Sequence, residues 1–223
     1  PDEVAGAAAV ILFGLEEFAS RRRKAQDAII EALRPEVSKA LDTGINTGGY
    51  AQLLAEVKRL WARYYHEDTG EHRAMPASLR DEIIRTLRHT DRTRTDPNQP
   101  TTVATWIAAV ILNTVAEQAV VDDPEELFLE WVTMHDGAVR ASHKATHGQI
   151  RPVGEKFDVD GVKMRRPGDV TAPIEEWINC RCVLRPTLAV SFALAERPGI
   201  GGYPINDCSD LKKAIKAIGR ARP

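Results

Sequence analysis

The chain has 223 residues, 43% of them hydrophobic and 28% charged, enough to bury a sizeable core as one large domain or two small ones. Its 30 basic and 32 acidic residues nearly cancel, so bulk charge singles out no partner, and any anionic ligand must be sought in local clusters. The longest apolar run, Val4 to Leu15, falls short of the roughly 20 residues of a membrane span and follows Asp2 and Glu3 rather than basic residues, which argues against a membrane partner and a signal peptide.

Pro1 stands where Met would open a primary product, so a trimmed or processed piece of a longer chain is expected. Three cysteines, two of them separated by one residue, do not make a disulfide framework and fit a reducing compartment.

Val4, Ala8, Ile11, Leu15, Phe18, Arg22, Ala25, Ile29 and Ala32 fall at alternating spacings of four and three, which predicts one long helix whose apolar stripe a single Arg interrupts. Pro35 should end or kink it near Leu33, with a further turn or two to Leu41. Ile45 to Gly49 reads as a loop whose two glycines allow positive φ. Leu53, Leu54, Val57, Leu60, Trp61 and Tyr64 predict a second helix, and 77–88 a third. The stretch His89 to Thr102, rich in Thr, Asp, Pro and Arg, reads as an exposed loop. Thr101 or Thr102 then caps an all-round apolar helix running to Val121, a pattern that points to burial between neighbours. Asp122-Asp123-Pro124-Glu125-Glu126 has the acidic cap and first-turn proline of another helix start.

Beyond Ile150 the texture changes. Phe157 to Met164 alternates around Asp160-Gly161 and predicts a β-hairpin, Pro167-Gly168-Asp169 and Ala172-Pro173 read as turns, 175–178 as a helical turn, and Cys182-Val183-Leu184 as a strand. Asp207 or Ser209 should cap a last helix with Leu211, Ala214, Ile215 and Ile218 inside and Lys212, Lys213, Lys216 and Arg220 around them. The expected fold is α+β and predominantly helical. Residues 1–123 form a helical docking or oligomerisation region, 124–187 a small α+β module with a hairpin, and 188–223 a linker with a basic amphipathic helix.

Candidate chemistry concentrates between Trp131 and Cys182. His143 and His147, on one face if helical, with Cys180 and Cys182 offer the donor set of a tetrahedral zinc site; buried thiols and ordinary histidine hydrogen bonds are the competing reading. Asp136 could substitute as a ligand or orient a histidine. Asp136, Arg140 and His143, at spacings of four and three, could also share a helical face as orienter, anion clamp and base, or form an ordinary salt bridge. A Cys180 or Cys182 nucleophile served by His143 is a further arrangement, and no Gly-rich phosphate loop is present. Seven basic residues against three acidic ones between Arg140 and Arg166, and the basic terminal helix, would suit contact with DNA or merely a solvated face.

The ordered elements Trp131, Thr133, Asp136, Val139-Arg140, His143, Gly148, Phe157, Pro167-Gly168-Asp169 and Asn179-Cys180-Arg181-Cys182 resemble the Mu F-like family of tailed-phage minor head, or head-morphogenesis, proteins. The resemblance spans 127–186. It implies a small α+β module behind a helical region, inside the capsid at the portal vertex after assembly in the host cytoplasm. The implied partner is the portal protein, with phage DNA, the major capsid or scaffold protein and further copies of the chain as additional candidates, in head assembly, DNA packaging or DNA delivery. It assigns no catalytic residue. The tail from Tyr203 to Ala221 resembles a tract in actinobacterial-phage head proteins, some fused to a capsid maturation protease. That leaves an enzymatic alternative: the leading part of such a protease, or a metal-dependent nuclease or transferase.

Overall fold

A computed structural model describes residues 2–43, 48–91, 98–121, 127–134 and 137–188 of the chain. The expected acidic helix start at 122–126, Asp136, the third cysteine Cys208 and the basic terminal helix lie outside these residues. The fold is mixed α+β and mostly helical, with two small sheets.

Helix α1 (Asp2–Thr43) runs on past Pro35, so the proline does not end the helix and the further turns expected to Leu41 belong to it. Leu33 and Val37, both fully buried, hold the turns on either side of the proline against the core. Pro35 itself is exposed, as is Glu31, whose carbonyl loses its i+4 donor there and can turn to water. The Arg that interrupts the apolar stripe is buried and paired: Arg22 bonds Asp68 of α2 (Gly48–Thr69) and lies over the Phe18 ring. Gly49 serves a different purpose from the one expected. It lies in the first turn of α2, and a Cβ there would stand 2.4 Å from Thr43 Oγ1 and 3.2 Å from Ala40 Cα, so glycine permits the close return of α2 along α1.

Helices α3 (Ala77–Asp91) and α4 (Gln99–Val121) complete the helical part. Helix α4 is its axis. Every residue from Val103 to Ala116 is buried, including Trp106 and Asn113. It is long and apolar enough to cross a membrane, but 83% of its apolar window is enclosed by the protein, the signature of a core helix. Ile29, Leu33 and Val37 of α1, Leu53, Val57 and Trp61 of α2, and Leu79, Ile83 and Leu87 of α3 close around it.

Residues 127–132 form a strand, β1 (Leu127–Val132), where the acidic signal upstream had suggested a helix. Phe128, Trp131 and Val132 suit a pleated, half-enclosed surface, and the full antiparallel register with β5 (Val183–Leu188), from Leu127↔Leu188 to Val132↔Val183, outweighs the local helix-start chemistry. β2 (Ile150–Arg151) pairs on the other edge of β1, giving the order β2-β1-β5. The anticipated hairpin is present as β3 (Phe157–Val159) and β4 (Val162–Met164), with Asp160 and Gly161 at φ 51° and 83° in a turn that needs both residues left-handed.

Three sets of contacts weld the module to α4. The Trp106 indole donates to the Gly168 carbonyl at 3.1 Å, and Gly168, at φ 79°, lets the loop sit against Val110 and Trp106, which a Cβ would meet at 3.4–3.7 Å. Asn113 donates to the Pro167 carbonyl at 3.1 Å and the Cys182 carbonyl at 3.4 Å, and accepts from the Leu184 N–H at 2.7 Å. Arg166, buried, pairs with Glu82 of α3 at 2.5 Å and Glu117 of α4 at 3.2 Å, while Arg165 approaches the same two carboxylates from the exposed side. Burial pushes the Glu117 carboxyl above its usual range despite the pull of both arginines.

Candidate metal centre

Each residue of the module's polar constellation is placed by local backbone chemistry. Helix α5 (Ala141–Thr146) is six residues long, with Arg140 at its N-cap in an extended conformation. The expected helical face joining Asp136, Arg140 and His143 therefore does not form: Arg140 stands outside the helix, and its guanidinium donates to the Ile178 carbonyl. His143 lies one turn into α5 and is almost fully buried. Gly148, at φ 78°, turns the chain out of α5 so that its N–H donates to the Trp131 carbonyl at 2.9 Å and the Trp131 N–H donates to the Gln149 carbonyl, which sets the helix against β1. On the other side, α6 (Ile174–Trp177) is capped by Ile178 and followed by Asn179 at φ 53°, a left-handed position that Asn tolerates well. That turn brings Cys180 and Cys182 inward under α5, both free and buried.

The imidazole of His143 has two distinct sides. Its Nδ1 lies 3.3 Å from Cys182 Sγ and 3.6 Å from Cys180 Sγ. Its Nε2 lies 3.1 Å from Glu176 Oε2, which also accepts from the Ser142 hydroxyl at 3.0 Å. The edge of Trp131 packs against the ring at 5.4 Å and 87°, and Phe157 packs on Trp131 in turn. The three donor atoms of His143, Cys180 and Cys182 all lie within 4.8 Å of one another, a group that could hold a metal ion. A carboxylate hydrogen-bonded to the far nitrogen of a histidine is the usual companion of metal ligation, because it fixes the tautomer that leaves the near nitrogen free to bind.

Electrostatics prepares the same group of atoms. A hydrogen bond from Cys182 to the Cys180 sulfur, aided by His143 and opposed by burial, holds Cys180 well below the ordinary thiol range and leaves Cys182 well above it. Burial disfavours the His143 imidazolium, but the Cys180 sulfur, with Glu176, outweighs it and raises the histidine above its usual value. Cys180 thus lies between a histidine and a thiol donor, both of which favour its thiolate over its thiol. The buried Trp131 indole N–H has no nitrogen or oxygen partner and sits where it favours a Cys182 thiolate. The Cys182 sulfur takes up this otherwise orphaned donor, and a zinc-bound thiolate there would accept it more strongly than a thiol.

His147, expected as a ligand, is turned elsewhere: its Nδ1 accepts the Thr133 N–H at 3.1 Å. Sequence spacing alone could not separate it from His143, because α5 stops at Thr146 and leaves His147 at the C-cap, off the helical face. Glu176 and Asn113 were missed. Asn113 had a signal, the one amide in the apolar stretch from Val103 to Ala116, which must find buried partners; Glu176 had none beyond its place four residues before Cys180. The cavity beside the three donors, about 20 Å³, is lined by Arg140, Asn179 and Arg181 as well. A larger groove of about 360 Å³ between α1, α2, α4 and β5 contains the Arg22–Asp68 pair and none of the candidate metal-site or family-motif residues. No family model matches the chain, and neither the curated proteins nor the solved structures yield a match.

Proposed function

We propose that this chain is a minor head protein of a tailed phage, of the Mu F-like kind, in which a zinc-stapled module on a helical platform takes part in head assembly, DNA packaging or DNA delivery at the portal vertex. The observation that carries the reading is convergence. Trp131, His143, Gly148, Pro167-Gly168-Asp169 and Asn179-Cys180-Arg181-Cys182, which carry the family resemblance in sequence, are the residues whose backbone turns and packing build one compact unit.

In this reading His143 Nδ1 and the Cys180 and Cys182 sulfurs hold the zinc, and Glu176 orients the histidine. Bound there, zinc supplies cross-linking of α5 to the segment that follows α6. The burial of both sulfurs and the small cavity favour a structural role over a nucleophilic one, since a cavity of about 20 Å³ admits little more than one water. The helical platform is the proposed portal-docking or self-association surface; because Arg165 and Arg166 are spent on Glu82 and Glu117 and Lys163 pairs with Asp158, the proposed DNA contact falls to the basic terminal tract, outside the described residues.

The test is co-expression with the portal protein of the same phage under reducing conditions with zinc present. A complex of defined stoichiometry on the portal ring is expected. A chain that never co-purifies with the ring contradicts the portal assignment, and DNA binding that weakens steeply with salt would then reassign it to nucleic acid.

A further inference from the structure

We infer that Cys180 and Cys182 form a reversible redox couple, which hydrogen peroxide closes into a disulfide that takes both sulfurs away from His143 and loosens the hold on α5. The inference rests on the zinc reading above only for the metal that leaves with them.

Geometry brings the couple together. Cys180 and Cys182 flank a single residue and both enter beneath α5, where their sulfurs lie 3.6 and 3.3 Å from the same His143 nitrogen and within 4.8 Å of each other. Rotation about the two Cα–Cβ bonds closes the remaining gap to the roughly 2 Å of an S–S bond. Both residues are buried, so an oxidant reaches them through the cavity of about 20 Å³ that Cys180, Cys182 and His143 line together. That space excludes an organic substrate and suits the smallest hydroperoxide.

In the first step one sulfur, as thiolate, attacks a peroxide oxygen; the O–O bond breaks, a sulfenic acid forms and hydroxide leaves. The second thiolate then attacks the sulfenic sulfur, the S–S bond forms and a second hydroxide leaves. Two electrons pass from the sulfurs to the peroxide, and two protons from solvent turn both hydroxides into water.

The structural consequence follows from what each link joins. Zinc ties α5, through His143, to the segment after α6, whereas a disulfide between residues two apart closes so short a loop that it constrains little beyond its own segment. Oxidation therefore exchanges a link between elements for one within a single segment. A head protein is made in a reducing cytoplasm and carried into oxidising surroundings on release, so on the reading above the couple stays reduced through assembly and closes afterwards.

The test treats the full zinc-loaded chain, and Cys208→Ser, with hydrogen peroxide, then follows zinc with a chromophoric chelator, disulfide by peptide mass, and cleavage within 127–186 by limited proteolysis. In both chains the peptide holding Cys180 and Cys182 should lose two hydrogens, zinc should leave in step, cleavage should quicken severalfold, and dithiothreitol with added zinc should reverse all three. Zinc-loaded chain whose thiols resist peroxide, pass to sulfinic acid or pair with Cys208 would overturn the inference and leave the metal site standing. A chain that never held zinc but still forms the Cys180–Cys182 disulfide would remove the zinc reading and support the couple. Disulfide formation with no faster cleavage would overturn the loosening of α5.

Discussion

Asn113→Ala should loosen the module while leaving the helices formed. The side chain is fully buried in the middle of α4 and satisfies three backbone groups of the module: the Leu184 N–H at 2.7 Å, the Pro167 carbonyl at 3.1 Å and, more weakly, the Cys182 carbonyl at 3.4 Å. Each buried group left without a partner costs about 1–3 kcal/mol. Counting only the two shorter bonds gives about 2–6 kcal/mol, a large share of the 5–15 kcal/mol that holds a typical domain together. Because Leu184 belongs to β5 and Cys182 immediately precedes that strand, the loss should fall on the seam between sheet and helix rather than on α1–α3. Urea unfolding followed by tryptophan fluorescence gives the magnitude, and amide hydrogen exchange at Leu184 gives the place. A loss below about 1 kcal/mol with the Leu184 amide still protected would refute the view that Asn113 ties the two parts together.

Cys180→Ser with Cys182→Ser should abolish zinc binding and speed proteolysis within 127–186, with helical circular dichroism largely kept; unchanged cleavage of that region would count against a metal staple. Arg166→Ala should cost about 3–5 kcal/mol, since it strands Glu82 and Glu117 in a buried setting, whereas Glu82→Gln, Glu117→Gln and Arg166→Met together should restore most of that loss in thermal unfolding. Asp169, although burial alone would raise it, is held below its usual 3.8 by the N–H groups of Arg165 and Thr171 and the Thr171 hydroxyl. A depressed carboxylate contributes stability above its unfolded value and loses it as pH falls through the folded one, so Asp169→Asn should flatten the stability profile below about pH 4. An unchanged acid limb would show that these bonds do not act on folding.

Much of the helical half was legible from spacing alone, because Leu53, Val57, Leu60, Trp61 and Tyr64 repeat at the period of a helix that buries one face. The hairpin was legible from Asp160-Gly161, where few other residue pairs meet the turn's φ requirements. What misled was local chemistry overruled at long range. Pro35 sits on the exposed side of a helix held by Leu33 and Val37, and the acidic helix-start signal was followed by a strand that finds its partner more than fifty residues later in β5. At the site, His143 and the two cysteines were legible as donors by type. The exclusion of His147 and the recruitment of Glu176 were not, since both depend on where α5 ends and how α6 packs beneath it.

The most direct measurement is the metal content of the purified full chain under reducing conditions, compared with His143→Ala and His147→Ala. The account predicts one zinc per chain, lost in His143→Ala and retained in His147→Ala, with two thiolates protected from alkylation only in the metal-bound form. A chain that binds no zinc, or one that loses it with His147 and keeps it without His143, would contradict the assignment of the site.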